Sequence, residues 1–224
     1  MSPQHHLGED LLLTWATGEG CEATRLLCAA HMTLCPTCRS RAESMEALGG
    51  QLFEKLAPAA LKEDALEAMF RQVEGNPDSP PATAPPTELD TSWVLPNELP
   101  LPRPIQQYLR KEDQWKSILG GRVQMLELPL SLGSQPMKLT RVSPGFKVPQ
   151  HTHEGLEFNL VLSGGFHDGD VDFRRGDIAI NDDSVEHNLT IDEGEDCVFL
   201  AAAENPLKPV GFKATIMSWL AGGF

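Results

Sequence analysis

Between Asn76 and Leu101 the chain carries prolines at 77, 80, 81, 85, 86, 96 and 100, interspersed with Ser, Thr and Ala. Proline fixes its own φ, removes a backbone donor and pushes the preceding residue out of the helical region, so this stretch forms no regular element. It reads as an extended, semi-rigid linker over residues 76–101. Two domains follow, residues 1–75 and 102–224. Trp93, Val94 and Leu95 are more apolar than a free linker needs and are candidates to dock on one of them.

On the N-terminal side the apolar residues recur at helical spacing. Leu7 to Ala16 is predicted helical, with Leu11, Leu12 and Trp15 on one face and Gly18 and Gly20 ending it. A second helix runs from Glu22 through Leu26, Leu27, Ala30 and Leu34. A third starts at Pro36, which loses nothing in a first turn, and carries Cys38, Ala42, Met45 and Leu48 before Gly49-Gly50 weakens it by about 1 kcal/mol per Gly. After Pro58, a fourth helix carries Leu61, Ala65, Leu66, Met69 and Phe70, with Val73 near its end. Its apolar stripe either packs on the first three helices or meets a partner. Four short helices make a thin core, which a metal clip would help to fold.

The run His31-Met32-Thr33-Leu34-Cys35-Pro36-Thr37-Cys38 supplies such a clip. At 3.6 residues per turn, positions i, i+4 and i+7 are neighbours, so His31, Cys35 and Cys38 share a face. Thiolate and imidazole are the donors tetrahedral zinc prefers. Three ligands leave a position open; His6 is the candidate for it, with His5 competing. Cys21 and Cys28, seven apart, read as core fillers rather than a redox pair, and Cys197 reads as a core residue.

Beyond Gln114 the pattern is strand after short strand: 122–128, 138–142, 157–162, 178–180, 197–202 and 213–218, separated by Gly, Pro, Asn and Asp. This predicts an antiparallel barrel or sandwich. Within it sits Gly145-x5-His151-x-His153-x3-Glu157-x6-Gly164. Residues two apart on a strand share a face, so His151 and His153 point the same way, and Glu157, opening the next strand, can turn toward them. Gly176-Asp177 opens a further strand, and His187 lies eleven residues beyond Gly176. Three imidazoles and a carboxylate make a site for a divalent transition ion. His167 reads as solvent-facing, and Trp115 and Trp219 as packing residues.

The net charge is −14, of which residues 1–75 carry −5 (six Lys/Arg, eleven Asp/Glu) and the remainder −9. Both halves repel a phosphate backbone, so no direct nucleic-acid contact is expected. No apolar run reaches membrane-spanning length, and Met1-Ser2-Pro3-Gln4-His5-His6 has neither a basic nor an apolar leader region, which reads as a cytoplasmic protein with no membrane contact. Five cysteines suit a reducing compartment rather than a disulfide framework.

His6 followed by His31-x3-Cys35-x2-Cys38 resembles the zinc-binding anti-sigma domain that sequesters group IV (extracytoplasmic-function) sigma factors in bacteria. The resemblance places the fourth zinc ligand at His6. The His151, His153, Glu157 and His187 pattern resembles the cupin superfamily, whose first motif it matches in every spacing. The second motif departs from the family at Asp182, Ser184 and Ile191, although His187 keeps its place. A helical zinc domain of about four helices, a Pro-rich linker and an antiparallel cupin β-barrel together resemble ChrR-type anti-sigma factors over essentially the whole chain.

That resemblance implies two zinc sites, the cupin site being able to hold another divalent metal. It implies a group IV sigma factor as partner, and release of it through the cupin domain under oxidative stress of the singlet-oxygen type. Two other readings compete. Cupins with three His and one Glu also serve as dioxygenases and isomerases, for which an N-terminal zinc domain has no use. Alternatively Cys35 and Cys38 are themselves the switch, oxidised with zinc release, although zinc in a closed site lowers thiolate reactivity.

Overall fold

A computed structural model describes residues 2–74, 95, 98–110, 113–131, 133–152, 154–205 and 208–209. His153, the 213–218 segment and Trp219, as well as Trp93 and Val94, lie outside the described residues. The helices are α1 (Glu9–Ala16), α2 (Glu22–Leu34), α3 (Pro36–Glu54), α4 (Ala65–Glu74) and a short α5 (Arg103–Gln106). The expected second helix has these same bounds and the first and third start within two residues of expectation, whereas α4 begins only at Ala65, leaving Leu61 outside it, and α5 was not expected. α3 continues through Gly49 and Gly50, past the point where glycine entropy favours a break.

Twelve strands follow among the described residues: β1 (Lys116–Ile118), β2 (Val123–Glu127), β3 (Met137–Val142), β4 (His151–Thr152), β5 (Glu157–Ser163), β6 (Gly165–Asp168), β7 (Val171–Arg174), β8 (Ile178–Asn181), β9 (Glu186–His187), β10 (Leu189–Ile191), β11 (Cys197–Ala203) and β12 (Lys208–Pro209). All pairings among them are antiparallel. The largest sheet runs β1-β2-β3-β11-β5-β8, and two smaller ones run β10-β6-β7 and β12-β4-β9. Among the described residues the ladders do not close on themselves, so the expected barrel is an open arrangement of three sheets.

β11 occupies the middle of the large sheet and is buried on both faces. Its unbroken apolar run reflects this, since a strand covered on both sides has no solvent-facing positions to make polar. Val198, Leu200 and Ala202 point to one face; Cys197, Phe199 and Ala201 point to the other. The second face, with Val142, Val161, Phe166, Phe173 and Leu189, forms the interior between the large sheet and β10-β6-β7.

The first face is shared with the helices. Leu7, Leu12 and Leu27 lie in one continuous apolar cluster with Leu139, Leu160, Ile178 and Leu200 of the sheet. A fully buried Leu contributes about 1.5–3 kcal/mol, so this contact is a substantial joint. Leu95, Leu101 and Ile105, at the end of the Pro-rich stretch, are buried in the same cluster, as expected for Leu95. Glu22 adds two polar bonds across this junction, accepting from the Tyr108 hydroxyl at 2.8 Å and the Ser131 amide at 2.6 Å.

The far end of α3 and all of α4 stand apart. Leu48, Leu52, Phe53, Leu56, Leu61, Leu66, Met69, Phe70 and Val73 are 51–84% exposed. Packing of the fourth helix on the first three is therefore not what the chain adopts.

Candidate metal centres

The chain brings together His6, His31, Cys35 and Cys38, with one donor atom of each lying within 4.8 Å of the others. The helix does not run through the motif, as a single helical face would require. Cys35 is extended (φ −113°, ψ 101°) between α2 and α3 because Pro36 excludes the helical conformation from the residue before it. His31 therefore reaches the site from the last turn of α2 and Cys38 from the first turn of α3. The Cys35 sulfur caps α3, accepting from the Cys38 amide at 3.5 Å, and lies 3.3 Å from His6 Nδ1.

His31, Cys35 and Cys38 are fully buried, and His6 is partly exposed. Both ring nitrogens of His31 lack a hydrogen-bond partner. An imidazole buried without a partner loses its solvation for nothing, unless an ion takes the lone pair. Burial, with His6 adding to it, holds the His31 pKa down at about 4. Burial also pushes the Cys38 thiol up to about 11, with Cys35 contributing. Two sulfurs and two imidazoles are the kind of donor set that tetrahedral zinc favours. His5 turns away: its ring lies tilted against Phe173, with centroids 4.4 Å apart, and its Nε2 meets the Asp172 carbonyl at 3.1 Å.

The second cluster unites His151, Glu157 and His187. His151 and His187 are opposite one another on the β4–β9 ladder, and Glu157 opens β5 as the sequence predicts. His187 Nε2 is 3.9 Å from Glu157 Oε2. His151 Nδ1 faces the Pro149 carbonyl at 2.8 Å and His187 Nδ1 faces Asp168 Oδ2 at 2.5 Å. Protons on these Nδ1 atoms leave both Nε2 lone pairs for an ion. Glu157 accepts from Asn159 Nδ2 at 2.8 Å and from Asn181 Nδ2 at 3.4 Å. Burial raises the Glu157 pKa, which a divalent cation would reverse, and lowers that of His151, which keeps the imidazole in the neutral form that ligates an ion.

His151 and Glu157 face a cavity of about 230 Å³ lined mainly by apolar side chains, among them Met125, Phe146, Val148 and Phe199. His167 is solvent-facing, with Asp192 Oδ1 at 3.6 Å. Asp168, Asn159 and Asn181 were invisible to motif reading, because each acts through a ligand rather than as one. Cys28 and Cys197 are buried as expected, and Cys21, the residue before α2, is partly buried against the core.

Residues 111–206 match the family model of the ChrR cupin-like domain. The anti-sigma-E factor ChrR of Cereibacter sphaeroides is 37% identical over 211 residues, which cover 93% of each chain. The chain belongs to the ChrR family of anti-sigma factors. Its fold matches the ChrR chain in the crystal structure of Rhodobacter sphaeroides SigE in complex with the anti-sigma ChrR. The TM-score is 0.69 at 35% identity, covering 90% of this chain and 99% of that one. An RmlC-like cupin protein from Ralstonia eutropha also aligns, at 15% identity and a TM-score of 0.43 over 51% of this chain and 83% of its own. No helix among the described residues is long and apolar enough to cross a membrane.

Proposed function

We propose that this chain is an anti-sigma factor that binds a group IV sigma factor through residues 1–75 and withholds it from core RNA polymerase. The observation that carries this reading is the apolar surface along the end of α3 and α4. Leu52, Phe53, Leu66, Met69, Phe70 and Val73 are each more than half exposed, and apolar exposure concentrated in this way marks a protein interface. The occupant follows from the kinship with a ChrR chain crystallised in complex with SigE. The acidic balance of residues 1–75 suits a partner with a basic DNA-binding surface.

In this reading His6, His31, Cys35 and Cys38 hold zinc, which fixes α2 and α3 at the angle that presents the apolar surface. His151, His153, Glu157 and His187 hold a second divalent ion, with zinc as the expected occupant. Residues 76–101 connect the two halves, and the cupin-like half, 102–224, releases the sigma factor in response to an oxidant of the singlet-oxygen type. The ions would supply Lewis-acid ligation at each cluster; the side chains orient and shield it.

The test is co-expression of the full chain with the group IV sigma factors of its own genome, followed by run-off transcription with core polymerase. One stable 1:1 complex that silences transcription is expected. The double variant Met69→Asp, Phe70→Asp should bind at least about tenfold more weakly, in line with the loss of central apolar contacts. Failure to bind any group IV sigma factor would overturn the proposal.

A further inference from the structure

The turn between β7 and β8 belongs to the cupin-like half, yet it is built around the first residues of the chain. The Asp177 carboxylate is buried, and its Oδ1 accepts from the backbone amides of Gln4 at 2.5 Å and His5 at 2.9 Å. Its Oδ2 accepts from the Arg174 amide at 2.8 Å, which closes the turn itself. Backbone N–H groups thus satisfy a buried carboxylate from both sides, a set of charge-assisted bonds stronger than neutral ones. Gly176 adds close approach. Its φ is +90°, and a Cβ there would lie 2.7 Å from Pro3 Cγ and 3.4 Å from Leu34 Cβ. The His5 ring on Phe173 completes the seat.

The next residue is His6. Its Nδ1 sits 3.3 Å from the Cys35 sulfur, so the arm held by Asp177 delivers one of the four donors of the N-terminal cluster. The same Gly176-Asp177 turn lies against the ring of His31, a second donor.

From Asp177 the chain continues directly into β8. At the other end of that four-residue strand, Asn181 pairs with Glu157 in register and donates to its Oε2. A strand rises about 3.3 Å per residue, so about 13 Å of paired backbone separates the carboxylate that seats His6 from the amide that holds a donor of the cupin cluster. Side chains at the two ends of one short, doubly anchored strand move together more readily than through a flexible linker.

We propose that Asp177 is a positioning residue for the N-terminal zinc site, and that β8 couples occupancy of the cupin metal site to retention of zinc at His6, His31, Cys35 and Cys38. The inference rests on reading these four side chains as a zinc site. The coupling is reciprocal: a change at Glu157 alters the seat of His6, and loss of the arm alters Glu157. The chain thereby has a second line of communication between its halves besides residues 76–101.

The test uses the full-length, zinc-loaded protein and follows zinc transfer to the chromogenic chelator 4-(2-pyridylazo)resorcinol. Elemental analysis of wild type and of Cys38→Ala comes first; a Cys38→Ala protein that keeps all the wild-type zinc removes the zinc reading and the inference with it. With the site established, Asp177→Ala and the near-isosteric Asp177→Asn should release the N-terminal zinc at least about tenfold faster than wild type. Asn181→Ala, which touches only the cupin end, should accelerate it as well. Glu22→Gln, which weakens the junction away from the arm, should stay within about twofold. Replacing zinc by cobalt gives a signature that general destabilisation would not produce, because the ligand-field bands of a folded Asp177→Asn protein should shift as His6 changes its angle. Unchanged release and unchanged bands in folded Asp177→Asn, or equal acceleration by Glu22→Gln, would overturn the inference.

Discussion

His151 and His187 are direct cross-strand partners on the β4–β9 ladder, with ring centroids 4.6 Å apart. Neither strand extends beyond two residues. Backbone pairing alone therefore holds the rings weakly, and the Nδ1 contacts to Pro149 and Asp168 fix their orientation. Asp168→Asn keeps the size of the side chain and loses its charge. Its expected effect is a fall of about 10–100-fold in affinity at the cupin site, the usual cost of removing such a partner. Calorimetric zinc titration of the metal-stripped protein should show this loss in one of two binding steps, the N-terminal step being unchanged. Two unaltered steps would show that Asp168 does not orient His187.

The exposed and the buried apolar residues of the helical half make opposite predictions. Phe53 is 75% exposed on α3 and touches little, so Phe53→Ser should change stability by no more than about 0.5 kcal/mol. Leu27 is fully buried where the helices meet the sheet, so Leu27→Ala should cost about 2–5 kcal/mol. Urea unfolding of the metal-loaded proteins measures both. If sigma binding is then lost in Phe53→Ser alone, while its stability is intact, that residue lies in the interface.

Why some of this was legible beforehand and some was not comes down to where each residue's partners lie in the sequence. β11 could be read from Cys197 to Ala202 because both of its faces are apolar, and β5 because its residues are buried throughout. The N-terminal cluster could be read because three of its donors fall within eight residues. β4 was read as strand only through the His151-x-His153 spacing, and β9 was not seen, since two residues cannot display an alternation. β7 was hidden because Val171-Asp172-Phe173-Arg174 exposes three of its four side chains at a sheet edge. The roles of Asp168 and Asp177 depend on partners 19 and 173 residues away. No local pattern encodes such distances.

Cys21 should be the reactive thiol of the metal-loaded protein. Burial acts to raise its pKa, but the Thr24 hydroxyl, with further backbone hydrogen bonds at the start of α2, brings the net shift downward. Burial drives Cys28 up to about 12 and Cys197 higher still. The thiolate is the nucleophile, so a lower pKa together with partial exposure selects Cys21. Iodoacetamide at pH 7.5, followed by peptide mass spectrometry, should label Cys21 first and leave Cys28 and Cys197 unmodified until the chain unfolds. Labelling of Cys28 at a comparable rate would mean that α1 opens from α2 in the native state.

Removing metal should make stability depend on acidity in a direction that His31 sets. Burial, reinforced by His6 and opposed by Asp177 and the Gly176 backbone, lowers its pKa from 6.5 to about 4. Between these values the unfolded chain binds more protons than the folded one, so stability rises with pH across the window. It is fully present above 6.5 and lost toward 4. A gap of that size is worth about 3 kcal/mol. His151, shifted down mainly by burial, adds in the same sense. Glu157 opposes it: burial raises its pKa, so its contribution is present below 4.5 and lost as pH rises through the folded value. Urea midpoints of the chelator-treated protein should therefore fall between pH 6.5 and 4, and His31→Gln should flatten the profile by removing the largest downward shift. Equal slopes in wild type and His31→Gln would show that the buried imidazole does not set the acid sensitivity of the metal-free fold.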